Sequence, residues 1–118
     1  MRRELLLIVE MIGAAEQARS LVAGTDVAAL AADRQRRDAL LWNFTTVLGE
    51  AAAQLDDEVK ARFPDVEWAR PAQLRNRVIH GYWSIDLEIL HTTAADLLPA
   101  FVEQLRSVLG EFEADGDA

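Results

Sequence analysis

Three observations predict an all-α fold, an up-and-down bundle of four to five helices with a kinked C-terminal helix. Apolar residues recur at spacings of three, four and seven along most of the chain. Gly, Pro and capping acids stand where those stripes stop. The alternating stretches and β-branched runs that would make strands are missing.

The elements follow in order. Leu5, Ile8, Ile12, Ala15 and Val22 form one helical face, which predicts a helix over 3–23 ended by Gly24. Thr25 or Asp26 can cap a short helix over Val27–Ala32. Asp33 can cap the next, whose stripe is Leu40, Phe44, Val47, Ala51 and Leu55. That helix is expected to fade in the charged stretch Asp56–Arg62, before a turn at Pro64-Asp65. Pro71 suits the first turn of a helix running to about His80, with Gly81 as its stop. Ser84 or Asp86 can cap the last helix, striped by Leu87, Leu90, Ala94, Leu97, Phe101, Leu105, Val108 and Phe112. Pro99 inside that stripe should kink it. The tail 111–118 is acidic and is expected to fray.

The 118 residues read as one domain, 1–118, without repeats or linkers, and 51% of them are apolar. That fraction excludes wholesale disorder. There are no cysteines, so disulfides, Cys-ligated metals and thiol catalysis are excluded. The apolar run Leu5–Val9 is too short for a membrane span or a signal core. A cytoplasmic protein that does not engage membranes is expected.

The formal net charge is −8, which argues against general coating of nucleic acid. The charge is uneven, however. The window 68–85 contains Arg70, Arg75 and Arg77 and no acid, so it carries +3 and leaves −11 on the other 100 residues. Such an island can hold a phosphate. Equally, arginines near a helix C-terminus simply complement its dipole. Arg34, Arg36 and Arg37 alternate with Asp33 and Asp38 and read as a solvated face.

Most of the useful polar chemistry lies in Arg75-Asn76-Arg77-Val78-Ile79-His80-Gly81-Tyr82. On a helical wheel Leu74 and Val78 mark the core face, and Asn76 and His80 lie opposite. His80 is therefore off the apolar stripe, unlike an ordinary core histidine. Asn76 and His80 are i,i+4 neighbours. An imidazole can take or give a proton at neutral pH. An arginine can hold a phosphate and stabilise its developing charge. These parts suffice for RNA cleavage without a metal or other cofactor, in which the 2′-OH attacks the adjacent phosphate. One difficulty is angular: on an ideal helix Arg75 and His80 lie about 140° apart. They converge through the long arginine side chain, a distorted last turn, or a dimer interface; spacing alone favours Arg77.

His91 has no paired ligand at metal spacing and reads as a surface or packing residue. Trp42, Trp68 and Trp83 could stack bases, although core or interface is the commoner use. Glu50, polar on an Ala-rich helix, can pair with Arg75 or Arg77 or simply face solvent.

The segment Arg75-Asn76-x-x-x-His80-x-Tyr82 resembles the R-x4-H-x-Y motif of the HepT-like toxins, within the HEPN domain superfamily. Pro64-Asp65-Val66-Glu67-Trp68 is similar to that family's Pro-x-x-x-Trp lead-in, Gly49-Glu50-Ala51-Ala52 to its Gly-Glu-Ala segment, and Ile85-Asp86-Leu87-Glu88 to the start of its last helix. The likeness covers about residues 33–90, and the first helix matches in pattern alone. It implies a HEPN-like homodimer with two motifs facing one cleft. It implies a metal-independent endoribonuclease toxin of a type VII toxin–antitoxin system, cutting mRNA or tRNA. The implied partner is a small MntA-like nucleotidyltransferase antitoxin, which in some pairs attaches AMP to the motif tyrosine. Carried over, Arg75 binds the scissile phosphate, His80 is the general base or acid, Asn76 supports them and Tyr82 is the modification target. Arg77 and Glu50 are supporting residues. Without the resemblance, Tyr82 reads as an aromatic packed beside Trp83. A catalytically weak HEPN module that scaffolds a partner nucleotidyltransferase is the alternative function. A plain helical dimerisation protein fits the acid-free window and the off-core His80 less well.

Overall fold

The computed structural model describes residues 2–80 and 86–115, without the side chains of Arg2, Thr46, Val47, Ile79 and His80. All of its regular elements are helical, as the stripes predict.

Helix α1 spans Arg2–Val22 and buries Ile8, Met11, Ala15 and Ala18. Gly24 ends it at φ +69°, a left-handed conformation that glycine adopts without Cβ strain. The Asp26 side chain accepts the Ala29 N–H at 2.8 Å and starts α2, Val27–Ala32. Asp33 accepts the Arg36 N–H at 3.1 Å and starts α3, Arg34–Trp42. Arg36 departs from the solvated-face expectation: its guanidinium donates to the Leu21 carbonyl at 2.8 Å and so satisfies the end of α1.

From α3 the rod continues as a π-helical segment, Asn43–Gly49, and then as α4, Glu50–Gln54. Side chains bond back to the backbone as the ladder widens. Asn43 donates to the Ala39 carbonyl at 2.9 Å and Thr45 to that of Leu41 at 2.7 Å. Such widened turns often mark functional sites.

Leu55 breaks the rod with extended backbone, and the charged stretch beyond it forms a helix of its own, α5, Asp57–Arg62. The expectation that helix fades there is corrected by burial and charge order. Val59 is anchored in the core, acids occupy the first turn, and Lys60 and Arg62 occupy the last. Glu4, itself buried, reaches across from α1 to accept the Asp56 N–H at 3.1 Å.

Pro64-Asp65 turns as expected, and Trp68 is buried with its indole N–H donating to the Phe63 carbonyl at 2.9 Å. Helix α6, Ala69–His80, follows and lies against the π-helical segment and α4. Asp86 then caps α7, Leu87–Thr92, accepting the Glu88 and Ile89 N–H groups. Gly81 and Ser84, offered as a stop and a cap, lie outside the described residues. The kink is a second π-helical segment, Thr93–Leu97, just before Pro99 in α8, Leu98–Ala114. Pro99 has no N–H to give a preceding carbonyl, so the regular ladder breaks there.

Helix α8 packs along α1 and buries Val102, Leu105, Val108 and Phe112. Helix persists to Ala114, four residues past the point where fraying was expected. Phe112 is fully buried and stacks edge-on with Phe63, ring centroids 5.9 Å apart. Arg62 lies over both rings and pairs with Asp115. Among the described residues, no helix is long and apolar enough to cross a membrane.

Candidate active site

The motif helix begins where the buried Trp68 and Pro71 pin its first turn to the core. Val78 is buried on its inner face, as the wheel predicts, and Leu74 is half-buried. Asn76 and Arg77 are exposed.

Arg75 is the anchored member of the group. Its aliphatic stem crosses the π-helical segment at Gly49, which leaves no room for a side chain. A Cβ on Gly49 would stand 2.7 Å from Arg75 Cβ, 3.0 Å from its Cδ and 3.0 Å from the Phe44 carbonyl oxygen. The absence of that Cβ lets the two helices meet. One residue along, Glu50 pairs with the Arg75 guanidinium. The same guanidinium donates from Nη1 to Asn76 Oδ1 at 3.2 Å. Arg75 is thus held from two sides with its side chain still 31% exposed, and Glu50 is 40% exposed. An ion pair this wet is worth at most about 1 kcal/mol, so a phosphate can compete with the carboxylate for the arginine.

The structure therefore brings together Arg75, Asn76 and Glu50. Glu50 had two possible partners by sequence, and Arg75 is the one it meets. Arg77 projects to the other flank of α6, where it lines a cavity of about 410 Å³. The α-helical backbone runs unbroken to His80, so the last turn is not distorted as far as that residue. The His80 side chain and Tyr82 lie outside the described residues. His91 packs as expected: its Nε2 meets the Thr25 carbonyl and ties α7 to the turn after α1. Trp68 is core, Trp42 is 60% exposed, and Trp83 lies outside the described residues. Among the described residues no cluster of three His, Cys, Asp or Glu could hold a metal ion.

Gly49 entered the sequence reading only through the Gly-Glu-Ala likeness, and its close contact with Arg75 was not foreseen. A glycine inside an otherwise regular helical stripe is the signal that could have shown it, because such a residue often marks close backbone approach.

The family model described as ribonuclease HepT-like matches residues 11–108, from the middle of α1 into α8. The chain belongs to the HepT-like ribonuclease family. Curated relatives agree. One named "Probable ribonuclease HepT", from Thermococcus cleftensis, is 28% identical over 57% of this chain and 54% of its own length. One named "Putative RNase" from Methanocaldococcus jannaschii is 27% identical over 60% of this chain and 59% of its own. Another of that name from Caldanaerobacter subterraneus subsp. tengcongensis is 27% identical over 53% and 56% respectively. The match thus spans just over half the length of these relatives. No solved structure matches the chain. The all-helical bundle is consistent with membership in this family.

Proposed function

We propose that this HepT-like chain is a metal-independent endoribonuclease and the toxin of a type VII toxin–antitoxin pair. The carrying observation is the seating of Arg75: its stem on Gly49, its guanidinium between Glu50 and Asn76, its head still reached by solvent. In the proposed reaction Arg75 holds the scissile phosphate. His80 takes the proton of the 2′-OH, whose oxygen attacks the phosphorus as the bond to the 5′-oxygen breaks, and the 5′-oxygen leaves with a proton supplied by water. The products are a 2′,3′-cyclic phosphate and a 5′-hydroxyl. Asn76 steadies the arginine. No metal takes part.

Arg75 leans toward Glu50, and its sequence angle to His80 is wide. A homodimer in which each Arg75 faces the partner's motif would close that gap. Two basic islands meeting across such a cleft would also offset the −8 charge for an RNA substrate, mRNA or tRNA. A nucleotidyltransferase antitoxin would silence the site by attaching AMP to Tyr82, adding bulk and negative charge where RNA must bind. The whole chain, 1–118, would act as one domain in the cytoplasm.

The test is cleavage of total RNA and of purified tRNA by protein free of AMP, in EDTA, with His80→Ala and Arg75→Ala beside it. The reading expects cleavage that survives EDTA and is lost in both folded variants. Equal cleavage by the variants would overturn it. The ion pair already held by Arg75 favours a second reading, a weakly active module that binds a nucleotidyltransferase. That reading expects a stable complex and little or no cleavage even at high enzyme concentration.

A further inference from the structure

The cavity on the far flank of α6 has a shape and chemistry that the phosphate site does not use. Its volume is about 410 Å³, within the range of small-molecule pockets. Phe44, Leu74, Leu98 and Phe101 form apolar walls, and Gln73 and Arg77 stand on its α6 edge. On the wheel, Gln73, Arg77 and His80 fall within about 60° of one another. The α6 backbone is regular from the cavity to His80, so the motif histidine stands one turn beyond Arg77 on the same face. One turn is comparable with the step from a phosphate to the base of its own nucleotide.

We infer that this cavity is a nucleobase subsite, which receives the base of a nucleotide flanking the scissile phosphate. The inference rests on the ribonuclease reading and adds to it a determinant of where RNA is cut. Apolar walls suit the faces of a planar ring, and an amide at the edge suits its polar rim. Arg77 supplies positive charge where the non-scissile phosphate of that nucleotide would lie, and Arg70 adds a second cation beside Glu67, which also lines the cavity. Arg70 is held by Glu67 through a well-exposed contact of 3.5 Å. Such a contact yields readily to phosphate. An apolar side chain alone in the cavity would strip water from Gln73 and Arg77 without replacing their hydrogen bonds. Inorganic phosphate alone would make no use of the walls.

The test uses the full chain carrying labelled Ile and Leu methyls, titrated in turn with AMP, GMP, CMP, UMP and inorganic phosphate. At least one nucleotide is expected to shift the Ile89, Leu97 and Leu98 methyls with a Kd near or below about 1 mM, whereas inorganic phosphate is not. Ala100→Trp, placed on an exposed stretch of the cavity wall, should weaken that binding about tenfold or more, a loss of about 1.4 kcal/mol. In RNA cleavage the same variant should raise KM and flatten the base preference at mapped cut sites, with its melting curve intact. Three results would each overturn the subsite. No nucleotide shifts the methyls, or Ala100→Trp binds and cuts as the parent does. Alternatively, the methyls move with protein concentration alone, which would give the cavity to a second copy of the chain. A failure of the ribonuclease reading would look different: no RNA is cut, while the methyl titration still reports on the cavity.

Discussion

Arg75 and Arg77 are two residues apart on one helix and meet opposite surroundings. Arg75 is half-buried, threaded over Gly49 and tied to Glu50 and Asn76. Arg77 is exposed at the lip of an apolar cavity. Two residues on an α-helix turn through about 200°, so neighbours in sequence serve different flanks. A cluster of arginines read as one basic island is therefore two devices. One arginine is positioned by packing, and the other stands exposed at a cavity edge.

The largest expected difference between them is in cleavage. Arg75→Ala should lower kcat by about 100-fold or more, as loss of a preorganised charge contact does. Arg77→Ala should act mainly through KM, by about tenfold or less, the size of an exposed charge contact. Single-turnover and steady-state assays separate the two, and equal effects would merge the flanks. Arg75→Lys should not rescue, since an ammonium cannot reproduce the planar fork.

Gly49→Ala sharpens the comparison from the other side of the contact. The new Cβ would press on the Arg75 stem, so the variant should lose about 1–3 kcal/mol in urea unfolding and most of its cleavage. Arg77→Ala should leave unfolding unchanged. If Gly49→Ala were as stable and as active as the parent, the arginine would not depend on its seat.

Glu50→Gln keeps the shape and removes the charge. Stability should change by less than about 1 kcal/mol, because both partners are well exposed. RNA should bind more tightly, as Arg75 loses a competitor, while kcat falls severalfold as it loses its guide. A rise in both would mean that Glu50 only masks the arginine.

The smallest effect belongs to a cap remote from both flanks. The backbone N–H of Arg36 holds the Asp33 carboxyl below its usual range. A carboxylate with a depressed folded pKa adds stability above its unfolded pKa and loses it as pH falls through the folded one. The Tm gap between the parent and Asp33→Ala should thus be largest near neutrality and close in acid. A gap unchanged into strong acid would show that the charge is not what caps α3.

Much of the architecture was legible because helices are local. The stops and caps at Gly24, Asp26, Asp33 and Asp86 act within a few residues of themselves. Helix α5 was not legible, because Val59 alone among charged neighbours shows no periodicity, and its burial depends on elements far away in sequence. The stripe of the last helix already reached Phe112, but fraying was expected from residue 111. Helix runs on to Ala114 because Phe63 and Arg62, about fifty residues earlier, hold Phe112. The two π-helical segments also escaped the wheel, which assumes one angular step per residue.

For the candidate site, spacing placed Asn76 away from the core and Val78 toward it, and both stand there. Composition marked the acid-free window, and motif pattern pointed to the family that the comparisons show. Those are properties of residue order along one helix. Which arginine meets Glu50, why position 49 tolerates no Cβ, and what forms the cavity beside Arg77 were decided by tertiary structure. Each depends on the distance between two helices, and local periodicity carries no information about that distance.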